Sequence, residues 1–173
     1  MAQEALGRLL DVALGVAPVD LSAAATTGKR VSLRNAAGVT IIVAKGAGAA
    51  SGENPTFTLR QHTAASGGTS QALASIDHYY LKSAATLAGT EQWVRVAQAA
   101  ASTIADPGAA TTSGASQQLL AIEVDARSLA DGFRYVSLDV SDVGSTAQLA
   151  VVLYVLRDLV VQRAPDKLVA ALS

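Results

Sequence analysis

Cysteine is missing altogether from this chain of 173 residues. That removes disulfides, thiolate metal ligands and thiol nucleophiles together, and it fits folding in a reducing compartment. Aromatic residues make up only 4 % of the chain, so each of them is a candidate anchor rather than part of a broad stacking surface. An excess of one charge is lacking too, with 13 basic residues against 14 acidic ones and a formal net charge of −1. Basic residues stand singly (Arg8, Arg34, Lys45, Arg60, Lys82, Arg95) apart from the Lys29-Arg30 doublet. Nucleic-acid binders gather basic side chains on one face to neutralise phosphates, so no nucleic-acid partner is expected. The longest apolar run, Leu149 to Leu156, falls well short of the ~20 residues that span a bilayer. The first residues carry no basic stretch and Asp11 interrupts the early apolar run, so neither a membrane partner nor an export signal is expected.

What is present is apolar and small. Half of the residues are hydrophobic, but alanine supplies much of that and buries little area. The length suits one domain with a core that needs no staples. Leu6, Leu9, Leu10, Val12 and Leu14 fall at near-helical spacing, weakened by Gly7 and Gly15, and predict a short helix or arm. Val16 to Gly28 reads as an extended lead-in. Strand patterns follow at Val31 to Arg34, Val39 to Lys45, Thr56 to His62, Ile76 to Lys82, Glu91 to Gln98, Gln117 to Asp125, Phe133 to Val140 and Ala147 to Arg157. Turn-forming residues separate them at Asn35 to Gly38, Gly46 to Asn54, Ala64 to Ser70 and around Gly89. A flexible stretch is predicted from Asp106 to Ser116 and a helical turn at Arg127 to Asp131. About eight strands at this spacing predict an all-β fold: an antiparallel, jelly-roll-like β-sandwich with an N-terminal arm or short helix and a C-terminal tail. The expected layout is an arm or lead-in over 1–28, the sandwich over 29–159 and the tail over 160–173. Val151 to Val155, rich in β-branched residues, is expected as a buried central strand.

Chemical motifs are sparse. Gly46-Ala-Gly48 opens a small-residue loop after an apolar strand, as a dinucleotide-binding loop does. That fingerprint needs a glycine where Ser51 stands and a helix behind it, whereas Pro55 and another strand follow. His62 and His78 are the only imidazoles. Asp77 adjoins His78, but strand neighbours point to opposite faces, so no Ser-His-Asp relay is expected and both histidines read as strand-surface residues. Glu123, Asp125, Asp139 and Asp142 could meet around a hard cation if their strands pair, but the calcium-loop spacing is missing. Zinc finds no ligand cluster. Asn54-Pro55-Thr56 fails as a glycosylation acceptor because proline fills its middle position. No catalytic, cofactor-binding or metal-binding residue is therefore assigned, no cofactor is called for, and no enzymatic activity is expected. The residues singled out are Trp93, Tyr79, Tyr80, Tyr135 and Tyr154, as core or interface anchors, because large aromatics carry much of the burial energy.

Three stretches together resemble a known class of protein: APVDLSAAATTGKRVSLRNAAGVTIIVAKG near the start, IDHYYLKSAATLAGTEQWVRVAQ in the middle, and the segment from LLAIEVDARSLADGFRYVSLDV to QRAPDKL near the end. Their layout resembles the decoration, or cement, proteins of tailed-bacteriophage capsids. The resemblance implies a jelly-roll or similar sandwich, made in the host cytoplasm, that trimerises on the capsid surface of the virion and clamps neighbouring major capsid subunits. Its expected partners are thus the major capsid protein and copies of itself. Two other readings suit the residues: a tail, baseplate or head–tail connector component, and a carbohydrate- or surface-binding sandwich module that presents Trp93. The strand Leu149 to Leu156 suits core or trimer contact equally, and residues 1–28 and 160–173 are expected to act as arms that order on docking.

Overall fold

A computed structural model describes residues 5–49, 53–105, 107 and 113–172. They contain eleven strands: β1 (Leu10–Asp20), β2 (Val31–Ser32), β3 (Ala36–Lys45), β4 (Thr56–His62), β5 (Ser70–Ala72), β6 (Ile76–Ala84), β7 (Val94–Ala101), β8 (Thr103–Ala105), β9 (Gln117–Asp125), β10 (Tyr135–Val140) and β11 (Leu149–Leu159). Single 3-10 turns at Ser113–Ala115, Ala126–Ser128 and Pro165–Lys167 are the helical elements among the described residues. The fold is all-β.

All pairings between strands are antiparallel. The large sheet has six strands in the order β1-β11-β3-β9-β6-β7, and the small sheet runs β2-β10-β4-β5. β5 and β8 share one edge of β4, facing Arg60 to His62 and Thr56 to Thr58 respectively. The pairings nest: β1 with β11, β2 with β10, β3 with β9, β4 with β5. A long antiparallel ribbon closed at β4–β5 and rolled up gives this pattern, with successive pairs falling in opposite sheets, which is a jelly roll. The β6–β7 hairpin is inserted between β5 and β9 and widens the large sheet.

Alternation builds the core between the sheets. Val39, Ile41 and Val43 of β3, Leu120, Ile122 and Val124 of β9, and Val152 and Tyr154 of β11 face Phe57, Leu59, Val136 and Leu138 of the small sheet, all buried. Tyr154 ties the layers together. Its Oη donates to the Lys29 carbonyl at 2.9 Å and accepts from the Leu138 N–H at 3.0 Å. Burial pushes its phenol well above the ordinary range. Gly15 makes room for the ring, because a Cβ there would lie 2.6 Å from it.

Several expectations need correcting. No helix forms over the first leucines; from Leu10 onward the chain is the edge strand β1. Leu10, Val12 and Leu14 also alternate, and pairing with β11 decides between the two periods. The C-terminal segment is not a free arm. Ser32 N–H donates to the Ala171 carbonyl, Val161 N–H donates to Asn35 Oδ1, and Leu168, Ala171 and Leu172 pack against the core. β5 and β8 went unforeseen because they are only three residues long and sit beside loops. The central-strand expectation lands on β11, which lies between β1 and β3. Most of the stretch expected to be flexible, 106–116, and residues 50–52 of the glycine loop lie outside the described residues.

Candidate functional site

The outer face of the small sheet is polar. Thr56, Thr58 and Arg60 of β4 and Ser137 and Asp139 of β10 point away from the core, and Arg60 Nε meets Asp139 Oδ2 at 2.8 Å. His62 also points outward yet is only 3 % exposed. Its Nδ1 lies 2.7 Å from Ser70 Oγ and its Nε2 lies 2.9 Å from Ser137 Oγ. Arg30 closes the cluster, donating to Ser70 Oγ and to the Ala64 and Gly67 carbonyls. Burial first, and then the Arg30 charge, push the imidazole down to about 4. So weak a base holds no proton at neutral pH, and hydroxyls rather than a carboxylate orient it. The arrangement fastens β5 and the Ala64 to Ser70 loop to β10.

His78 departs from expectation. Its Nδ1 lies 2.6 Å from Asp77 Oδ1, although strand neighbours should diverge. Buried Ile76 and Tyr79 stand three residues apart on β6, beside a shift in the β6–β7 register, so strict alternation fails over Asp77 and His78. The acidic residues considered for a cation do not converge, because Glu123 and Asp125 lie on β9 in the large sheet and Asp139 lies on β10 in the small one. Among the described residues no group of His, Asp or Glu side chains is placed to hold a metal ion. Lys45 is buried at the end of β3, where its Nζ donates to the carbonyls of Gly46, Ser113 and Ser116.

The large sheet differs on its outer side. On β11 the even residues Ala150, Val152, Tyr154 and Leu156 are buried in the core, and the odd residues Val151, Leu153 and Val155 point out. Register carries that outward row across the sheet: Leu14 beside Leu153, Leu153 beside Ile42, Ile42 beside Ala121, Ala121 beside Tyr80, Tyr80 beside Arg95. The next row runs from Val12 through Val155 and Thr40 to Glu123. Another holds Val151, Ala44, Leu119 and Lys82. The centre of this face is aliphatic, and charge is confined to its β6–β7 side and to the ends of its strands. Val12 is 48 % and Leu149 64 % exposed. A shallow apolar groove of about 340 Å³ crosses the Leu149 end, between Pro18, Leu87, Leu119 and Val151.

The aromatic residues divide between these surroundings. Tyr79 and Tyr154 are in the core. Tyr135 is buried on the outer side of the small sheet with the Arg34 guanidinium 5.9 Å above its ring. Tyr80 is half-buried on the outer face of the large sheet, edge-on to His78. Trp93 is 44 % exposed just before β7, with Lys82 Nζ 5.1 Å from its ring centre. Sequence reasoning singled out the aromatics and passed over the aliphatic residues between them. The available signal was the lack of alternation in Ile41 to Ala44 and Leu149 to Leu156, since strands apolar at every position are covered on both faces. No protein-family model matches the chain, and comparisons with curated proteins and with solved structures find no counterpart.

Proposed function

We propose that the protein is a structural component of a bacteriophage virion, which docks as a homotrimer on the outside of the capsid and stabilises contacts between major capsid subunits. The observation that carries this reading is the aliphatic outer face of the large sheet. Patches of that kind on a folded domain mark sites of contact with other macromolecules. A scaffold held by a tethering tyrosine, a latched C-terminal segment and a buried histidine staple supports the same role, because a clamp transmits load without doing chemistry. Weak contacts repeated over many copies suffice for such a function. The test is cosedimentation of purified protein with matching expanded capsids, together with light scattering of the free protein. Binding to capsids and a trimeric mass are expected. Failure to bind, or binding only at a vertex or tail, removes the decoration role, and the latter outcome selects the tail or connector reading.

One observation favours a second reading, a carbohydrate-binding module: Trp93 is half exposed, beside Lys82. Glycan-array binding that Trp93→Ala abolishes without unfolding the chain would select it.

A further inference from the structure

We infer that the outer face of the large sheet is covered by a second copy of this chain, so that the aliphatic rows of Leu14, Ile42, Leu153 and Val151 lie in the contact between copies. This rests on reading the face as a contact surface, as above, and assigns its occupant.

Size argues first. Six strands spaced ~4.8 Å apart, each contributing about eight residues at ~3.3 Å, make a face of roughly 750 Å². A standard stable interface buries about 800 Å² per partner, so one copy of the face is nearly the area that a specific association needs. Charge argues second. The aliphatic centre is uncharged, and the flanking charges are of both signs: Lys82 and Arg95 on the β6–β7 side, Glu123 and Asp125 on β9. Arg157 is already engaged by Asp158. A partner of one dominant charge would favour a margin of the opposite sign, whereas a mixed margin around a neutral centre suits a surface much like itself. Composition argues third. A chain with a net charge of −1 offers little long-range repulsion between copies.

The absence of cysteine makes the test direct. Val12→Cys and Leu149→Cys each place the only thiol of the chain at a position that is well exposed in a single copy, and Thr58→Cys serves as a control on the small sheet. Maleimide labelling of the first two should be roughly tenfold slower than of the control at high protein concentration, and should recover on dilution. Leu153→Asp should convert the wild-type oligomer to monomer by light scattering. Should Leu153→Asp fail to fold, the two thiols still decide the matter. Labelling at the control rate at every concentration overturns the inference. So does an oligomer that survives Leu153→Asp in folded form, or protection that appears only once capsids are added. Capsid cosedimentation is scored separately. A monomer that binds capsids sinks this inference and the three-copy reading but spares the capsid-stabilising role, and an oligomer that ignores capsids spares this inference and removes that role. A dimer in place of a trimer leaves the face assignment standing and removes the three-copy reading.

Discussion

In the small sheet, β4 alternates Phe57 and Leu59 inward with Thr56, Thr58 and Arg60 outward, so one face builds the core and the other meets water. In the large sheet, β11 sends Val152 and Tyr154 inward and Val151, Leu153 and Val155 outward, and nothing polar interrupts the outward row until Thr40 and the β6 margin. The same jelly roll therefore carries one sheet of the kind found on the surface of monomers and one of the kind found in interiors. Alternation in a strand records a face that meets solvent, and its loss records a second burial. Several changes would break or sharpen this contrast.

The largest effect is expected where the two sheets are tied. Tyr154→Ala empties a fully buried site and should cost about 3–5 kcal/mol in urea unfolding. Tyr154→Phe keeps the ring but strands the Leu138 N–H and the Lys29 carbonyl, with an expected loss of about 1–3 kcal/mol. Wild-type stability in the phenylalanine variant would mean that the hydroxyl is no tether.

Acid should act through the small sheet. The folded chain holds His62 near 4 against an ordinary value of 6.5. As the pH falls from about 6.5 to about 4, the unfolded chain takes up a proton that the folded chain refuses, so stability declines across that window and levels off below it. The loss is bounded at roughly 3 kcal/mol. His62→Gln should flatten this part of the stability profile, and a profile with unchanged slope would show that the imidazole is not held neutral.

The smallest effect belongs to the solvated pair on the same face. Arg60→Ala breaks an ion pair in which the arginine side chain is 42 % exposed, and should cost under about 1 kcal/mol by thermal unfolding. A larger cost would mean that the polar face is more than a solvated surface.

Most of the sandwich was legible in the chain because its middle strands alternate or run apolar between clear turns. Eight strand segments were read correctly in place, each overlapping one of β2, β3, β4, β6, β7, β9, β10 and β11. The first strand was not, because Leu6, Leu9, Leu10, Val12 and Leu14 satisfy a helical period and part of a strand period at once, and only the partner strand decides. The His62 cluster was invisible for another reason. Its members, Arg30, His62, Ser70 and Ser137, come from separate parts of the chain and meet only through sheet register. The pairing of His78 with Asp77 was missed because strict alternation fails there, beside a local register shift. The aliphatic outer face was half visible: Leu149 to Leu156 read as suited to core or contact, and its two sides serve the two surfaces separately.

The nesting of β1 against β11 has a consequence for how the molecule is made. Leu10 pairs with Arg157, so β1 leaves the ribosome long before the strand that closes its hydrogen bonds. Until then the edge of β3 that β11 will occupy lies open, bordered by aliphatic side chains above and below. Contacts between such distant parts of a chain form slowly, and unpaired apolar edges are prone to capture by other chains. Synthesis of this protein is thus expected to pass through a sticky stage, relieved in a single step when β11 slides between β1 and β3.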